Sequence, residues 1–265
     1  MTANPFKSIR CLPINFESMV KSAFEFSQGI KICSPNLLPG TKFYRCRITD
    51  QPLENISELG APPKDIINKN GRLNLAGESV GYFSFSHRTS IFEVNPVVGD
   101  VLYLTNWELI KEIYICHIGY AKKQFDEWDS KKSPHRYKWV IDTSELNEQE
   151  VNKYNILSDI VTGDRPPYLK SNAVGKVLMT RGLHAGLLYP SIAHGGNADN
   201  IAIKEEFLDI IYLNWIEVVR ITKLDNGSVS YERVKWSDTW DSNGYISWKE
   251  LTDTRKEGGY SLIYQ

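Results

Sequence analysis

The chain is poor in cysteine, in long apolar runs and in net charge. Its four cysteines form no C-x-x-C pair, so the sequence predicts neither a zinc site nor a dense disulfide framework. Lys plus Arg number 31 and Asp plus Glu 32, which leaves a formal net charge of -1 and no general positive field to attract nucleic acid. No apolar run approaches the roughly 18 residues that a membrane-spanning helix needs. These absences predict reduced thiols and a cytoplasmic protein that contacts neither nucleic acid nor membrane directly.

Several common functional motifs are also missing. The sequence has no G-x-G-x-x-G, no Walker-type loop, no H-E-x-x-H and no G-x-S-x-G, which removes the usual dinucleotide-fold, nucleotide, zinc-protease and hydrolase interpretations. Its five histidines are scattered without ligand spacing, so no metal site is predicted. With 42% hydrophobic residues, the chain nevertheless has enough apolar side chains for a folded core.

The pattern of polar and apolar segments predicts one domain with additions. Residues 1–41 are expected to form an N-terminal helical extension, with a helix over 16–27. Residues 42–203 form the expected core, interrupted by a polar insertion near 122–143. Residues 204–265 are rich in β-type runs and turn signals, and we expect them to complete or extend the same domain.

Two arginines share one side of a predicted strand. Alternation over 42–48 places Arg45 and Arg47 on the same face. The loop that follows, 49–75, is rich in proline, glycine and asparagine, so turn chemistry is expected to position its Arg72.

A short helix and two strands are predicted further along the chain. Ser86 is a suitable N-cap, and an Asn-Pro dipeptide ends the helix just after Glu93. The β-branched and aromatic content then predicts strands at 101–104 and 112–118, joined around Asn106.

Five blocks in this order resemble the RES domain, a family named for its arginine, glutamate and serine. The resemblance covers about 42–203. The blocks are Phe43-Tyr44-Arg45-Cys46-Arg47, Gly71-Arg72-Leu73-Asn74, Tyr82, Glu93 and Gly186-Leu187-Leu188-Tyr189-Pro190-Ser191.

The resemblance implies a fold, an activity and a partner. RES proteins are mostly bacterial toxins of α+β class, with an ADP-ribosyltransferase-like fold: a split mixed β-sheet with flanking helices. They consume NAD as a substrate and need no separate cofactor. Many are silenced by a helix-turn-helix antitoxin, so such a protein is an expected partner.

The side chains of these blocks suit the chemistry of NAD. Arginine binds phosphate oxygens bidentately and keeps its charge when desolvated, so Arg45 and Arg72 are the candidates for the diphosphate, with Arg47 as a lesser third. Glu93 is the strongest catalytic candidate, because a carboxylate near the nicotinamide ribose stabilises an oxocarbenium-like transition state.

Three further residues are expected to bind substrate. Tyr82 can stack on the nicotinamide ring, although a strand aromatic is as often part of the core. Ser191 can hydrogen-bond the nicotinamide amide or a ribose hydroxyl, and Asn74 belongs to the Gly-Arg-Leu-Asn block. Water, phosphate or a protein side chain remains open as the acceptor of the ADP-ribosyl group.

Two other classes of function remain open from the sequence. The same cleft can hold a nucleotide or a partner without turnover, as a binding module. The aromatic residues of the C-terminal part can alternatively recognise carbohydrate, although cross-strand pairing in hairpins explains them more simply.

Overall fold

The computed structural model describes residues 15–30, 34–49, 51–119, 146–193, 198–225 and 228–250. The insertion expected near 122–143 lies outside these ranges. The helices are α1 (Phe16–Phe26), α2 (His87–Glu93), α3 (Glu148–Gly163) and α4 (Leu169–Thr180). The strands are β1 (Asn36–Leu37), β2 (Lys42–Ile48), β3 (Val80–Ser84), β4 (Val101–Leu109), β5 (Ile113–His117), β6 (Gly186–Pro190), β7 (Asp199–Lys204), β8 (Ile211–Asp225), β9 (Ser228–Ser237) and β10 (Lys249–Glu250).

The ten strands of the described ranges form one mixed sheet. Their order across it is β1-β5-β6-β7-β3-β2-β4-β8-β9-β10. Strands β5 and β6 run parallel, and the other neighbours run antiparallel. The protein is therefore of α+β class, as the sequence predicts.

Both faces of the sheet are covered around β6 and β7. Leu187 and Ala202 pack in a cluster that includes buried residues of α1, α3 and α4. Leu188 and Ile201, their neighbours in the chain, pack in a second cluster with the 3-10 helix Glu205–Ile210. Because successive side chains of a strand point to opposite faces, the sheet lies between these two layers. Burial on both faces explains why β6 is apolar throughout.

The C-terminal strands continue the same sheet. Strand β8 pairs with β4 from Val101 opposite Arg220 to Leu109 opposite Ile211. Strand β9 then pairs with β8, and β10 with β9. These strands add to the side of the sheet away from β6 and β7.

The sheet opens between β2 and β3. The two strands are paired at a single position, Tyr44 opposite Ser84. Two residues earlier in β3, the carbonyl of Tyr82 has no strand partner on β2, and Arg45 Nη1 donates to it at 3.0 Å. An arginine side chain therefore fills the gap that the separating strands leave.

Strand β4 is longer than the sequence suggests. The prediction of a break around Asn106 is wrong, because β4 runs on to Leu109 and β5 begins at Ile113. Asn106 is buried in mid-strand, where its amide donates to the Phe43 carbonyl and accepts from Asn214. Residues distant in the chain thus satisfy the hydrogen-bonding groups of an asparagine that the local sequence would place in a turn.

Buried His117 makes the stability of the fold dependent on pH. The residue is 3% exposed, and burial lowers its pKa to about 4. An unfolded histidine has a pKa of about 6.5, so between pH 4 and 6.5 the unfolded chain binds a proton that the folded chain does not. We expect His117 to cost the fold about 2 kcal/mol of stability when the pH falls from 7 to 5.

Denaturant unfolding at the two pH values tests this expectation. Between pH 7 and 5, His117→Gln should lose about 2 kcal/mol less stability than the wild-type protein, because glutamine does not titrate. Equal losses in the two proteins would show that His117 is not the group responsible.

Candidate active site

Glu93 lies at the C-terminal end of α2, with its carboxylate held on one side. The helix begins after Ser86, whose side chain accepts from the Thr89 N–H as the predicted cap. Ser191 Oγ donates to Glu93 Oε1 at 2.5 Å, and Asn200 Nδ2 donates to the same oxygen at 2.7 Å. Glu93 Oε2 has no hydrogen-bond partner among the described residues. One carboxylate oxygen is thus anchored and the other is available.

Ser191 follows the buried strand β6 directly. The residue is fully buried, and its backbone N–H donates to the Ala198 carbonyl at 2.7 Å. Its hydroxyl donates to Glu93. A glutamate and a serine from two separate segments, Glu93 and Ser191, are therefore in direct contact.

The Gly71–Asn74 segment and Tyr82 form one hydrogen-bonded unit. Gly71 N–H donates to the Asn74 carbonyl at 2.9 Å, which closes a tight turn. Tyr82 Oη donates to Asn74 Oδ1 and accepts from the Leu73 N–H, both at 2.8 Å. A Cβ on residue 71 would lie 2.2 Å from Asn74 Oδ1, so the turn needs glycine there. Residues that look like separate motif positions thus support one another.

Arg72 is displayed by this turn and lies against the end of α3. Its Nη1 donates to the carbonyls of Val161 at 2.8 Å and Thr162 at 3.2 Å. Carbonyls at a helix C-terminus carry partial negative charge, so they hold the guanidinium without neutralising it. The guanidinium carbon lies 5.1 Å from the centre of the Tyr168 ring. No carboxylate of the described residues pairs with Arg72.

Arg45 is the second cation of the site. Its Nη1 donates to Tyr82 O, while its Nε is buried without a hydrogen-bond partner. Burial, and secondarily the charge of Arg47, lowers the pKa of Arg45 to about 10. A buried guanidinium with no carboxylate beside it in the described ranges is a place where an anion would be stabilised.

Tyr189 lies where these groups meet. Burial, together with the nearby Tyr82 and Glu93, raises its pKa well above the ordinary value, and the charge of Arg72 opposes this rise. Burial also raises the pKa of Tyr82 above its ordinary value, and the charges of Arg72 and Arg45 oppose part of this rise. The charges of the two arginines and the glutamate therefore affect the pKa values of one pair of tyrosines.

Strand register places the two tyrosines on the same face of the sheet. Tyr189 lies opposite Asn200, and Tyr82 lies opposite Ala202 two residues further along β7. All four side chains point to the same face, because alternate residues of a strand do. Ala202 and both tyrosines pack in the cluster with α1, α3 and α4. The candidate site, which we call the hollow, is defined by Tyr82 and Tyr189 together with the two charged groups that act on them, Glu93 and Arg72.

Two predicted substrate-binding residues have their side chains engaged elsewhere. Arg47 is exposed, and its Nη1 donates to the Glu58 carbonyl at 2.5 Å. Asn74 is buried, with its amide donating to the Leu75 and Glu78 carbonyls and its oxygen accepting from Tyr82. The structure therefore brings Arg72, Tyr82, Glu93 and Ser191 together at the hollow and holds Arg45 against the Tyr82 backbone carbonyl, whereas it engages Arg47 with Glu58 and Asn74 within its own turn.

Asn200 is a residue of the site that the sequence does not identify. It donates to Glu93 and accepts from Ser84 Oγ at 2.6 Å. The available signal is the polar pair Asp199-Asn200, which opens a strand that otherwise reads Ile-Ala-Ile. A buried polar residue at such a position needs a partner, and the sequence does not say which.

A separate pocket lies close to the arginine turn. It has a volume of about 320 Å³ and is lined by residues that include Leu73, Glu78, Asn172 and Lys176. Arg45, Glu93 and Ser191 are not among its lining residues. The pocket therefore adjoins the back of the Gly71–Asn74 segment and is distinct from the hollow around Tyr189.

Comparisons with known proteins do not assign a family to this chain. No model of a protein family matches the sequence, and no curated protein matches it. Across the ranges with described structure, no helix is both long and apolar enough to cross a bilayer. In the same ranges, no group of three or more His, Cys, Asp or Glu side chains is arranged to hold a metal ion.

Proposed function

We propose that this protein binds NAD in the hollow around Tyr189 and cleaves the bond between nicotinamide and ribose. The proposal includes the finer fold assignment, an ADP-ribosyltransferase-like sheet of the RES type. The α+β class, the mixed sheet and the opening between β2 and β3 agree with that assignment.

The two arginines suit the diphosphate of NAD. Both lack a carboxylate partner within the described residues, and one is buried with an unused N–H. A phosphate oxygen would accept from that N–H and offset the cost of the buried charge. Arg45 and Arg72 come from different segments of the chain, and we expect them to bind the two phosphates from two directions.

Glu93 suits the ribose end of the substrate. As the glycosidic bond breaks, its electron pair leaves with the nicotinamide nitrogen, and positive charge develops on the ribose carbon. A carboxylate beside that carbon stabilises the charge, as carboxylates do in glycoside hydrolysis. The single observation that carries the proposal is the anchored carboxylate of Glu93, whose second oxygen has no partner among the described residues and whose charge acts on Tyr189 together with the opposite charge of Arg72.

Three kinds of molecule can accept the ADP-ribosyl group that remains after nicotinamide leaves. Water gives ADP-ribose and releases a proton, phosphate gives a phosphorylated ADP-ribose, and a protein nucleophile gives an ADP-ribosylated side chain. In each case NAD is consumed as a substrate. Depletion of NAD would make the protein a toxin in a cytoplasm, and a helix-turn-helix antitoxin is the partner proposed to silence it.

Incubation of the purified protein with NAD tests the proposal. We expect free nicotinamide to accumulate, and chromatography of the other product, with and without added phosphate, to identify the acceptor. Calorimetry with NAD provides the complementary measurement. Binding without nicotinamide release would support the binding-module alternative. The absence of both binding and release would contradict the proposal.

A further inference from the structure

A chain of two hydrogen bonds leads from β3 to the Glu93 carboxylate. Ser84 and Asn200 lie opposite each other on β3 and β7, and each is 3% exposed. Ser84 Oγ donates to Asn200 Oδ1 at 2.6 Å, and Asn200 Nδ2 donates to Glu93 Oε1 at 2.7 Å. The central strands of the sheet therefore determine where this oxygen of Glu93 lies.

The chain of contacts also fixes which way the Asn200 amide faces. If the amide were flipped, its oxygen would face the Glu93 carboxylate, and two acceptors would repel each other. The Ser84 hydroxyl supports the favourable orientation by donating to the amide oxygen. Asn200 is thereby oriented as a donor toward Glu93 before any substrate arrives.

Both groups that hold Glu93 are neutral. Ser191 and Asn200 each donate to Oε1, and no lysine or arginine of the described residues forms an ion pair with the carboxylate. A cation in their place would cancel much of the negative charge that faces the hollow. Neutral donors fix the position of the carboxylate and leave its charge in place.

We infer that Asn200 is a positioning residue that anchors Glu93 through Oε1, with Ser84 setting its amide, so that Oε2 is the oxygen that meets the substrate. This inference rests on the proposed cleavage of NAD for its kinetic consequences. The hydrogen bonds themselves do not depend on that function.

Asn200→Asp tests the contact by placing a second carboxylate against Glu93. Two carboxylates at hydrogen-bond distance share one proton, so one step of their joint titration moves to higher pH. If the ionised Glu93 is the active form, the acid limb of kcat/KM for NAD should move up by about one pH unit or more.

The chain offers a matched control at the edge of the sheet. Asn36 Nδ2 donates to Glu112 Oε1 at 2.6 Å, in an exposed pair away from the hollow. Asn36→Asp adds the same charge next to the same type of partner. It should leave the acid limb where the wild-type protein has it, and an equal shift in both variants would contradict the inference.

The other titratable groups around Glu93 stay constant in this comparison. Tyr189 from β6 is affected directly by Glu93, and Arg72 acts on the same tyrosine. Asp199 on β7 and His87 and Arg88 on α2 belong to the same elements as Asn200 and Glu93. Because none of them is changed, a shift found only in Asn200→Asp would belong to the new carboxylate pair.

Removal of the donor gives the kinetic test. Asn200→Ala should lower kcat about 10-fold or more and leave KM for NAD within about threefold, because the arginines still bind the diphosphate. Ser84→Ala should lower kcat by less, since the amide remains present but loses its orientation. An unchanged kcat in Asn200→Ala, or a change confined to KM, would overturn the positioning role.

Carbon-13 NMR of the glutamate carboxyls separates this inference from the proposed function. The Glu93 signal is assigned by its loss in Glu93→Gln, and its titration is followed without NAD. A higher titration midpoint in Asn200→Asp than in the wild-type protein would support the contact even if no nicotinamide were released. The same midpoint in both proteins would overturn the inference even if the wild-type enzyme cleaved NAD.

Discussion

Glu93→Gln is expected to reduce nicotinamide release from NAD by about 10² to 10³-fold, which corresponds to about 2.7–4 kcal/mol of transition-state stabilisation. Glutamine keeps an oxygen that accepts from Ser191 and Asn200, so the local contacts survive. It removes the negative charge that would stabilise the developing positive charge on the ribose. The loss should therefore appear in kcat, with KM for NAD little changed.

Glu112→Gln is the matched control for this variant. Glu112 also accepts from an asparagine amide at 2.6 Å, but it lies in an exposed pair with Asn36. The control should retain wild-type activity. Full activity in Glu93→Gln, in a protein with an unchanged melting temperature, would remove Glu93 from the catalytic role.

Arg45→Gln is expected to raise KM for NAD by about 10 to 100-fold, because a charge-assisted hydrogen bond to phosphate contributes about 1.5–3 kcal/mol. The same change should leave the melting temperature equal to or above that of the wild-type protein. Burial lowers the pKa of Arg45 to about 10, which means that the folded protein disfavours the charged form. The charge therefore costs the unliganded fold about 3 kcal/mol at neutral pH. Glutamine removes that cost, which offsets the loss of the hydrogen bond from Arg45 to the Tyr82 carbonyl.

Thermal unfolding and steady-state kinetics on the same samples check both parts of this prediction. Arg220→Gln is a suitable control, because Arg220 is an exposed member of an ion pair with Glu232. It should change neither KM nor the melting temperature appreciably. An Arg45→Gln protein that unfolds several degrees earlier and binds NAD normally would show that Arg45 has a structural role only.

Local signals were sufficient to predict the elements that display the site. Ser86 caps α2 as expected, and the helix ends at Glu93, immediately before the residues that cannot continue it. The apolar run of β6 likewise ends where Ser191 begins the next turn. These positions depend on caps, turns and burial, which are properties of a few neighbouring residues.

The contacts that complete the site depend on residues distant in the chain. Asn200 reaches Glu93 across 107 positions, and Ser84 reaches Asn200 across 116. Contacts with distant residues also explain why the predicted break in the strand at Asn106 is wrong. Hydrogen bonds with Phe43 and Asn214 override the local turn signal there. Arg47 shares a predicted face with Arg45, yet it lies beside Glu58, because alternation along a strand does not specify where a long side chain ends.

A crystal structure of Glu93→Gln with NAD bound tests the central claim most directly, because that variant should bind the substrate normally and consume it far more slowly than the wild-type protein. The account predicts the diphosphate within about 3 Å of Arg45 and Arg72 nitrogens, and the nicotinamide ribose beside residue 93 and Tyr189. NAD bound elsewhere on the protein, with both arginines holding their present contacts and the hollow unfilled, would contradict it.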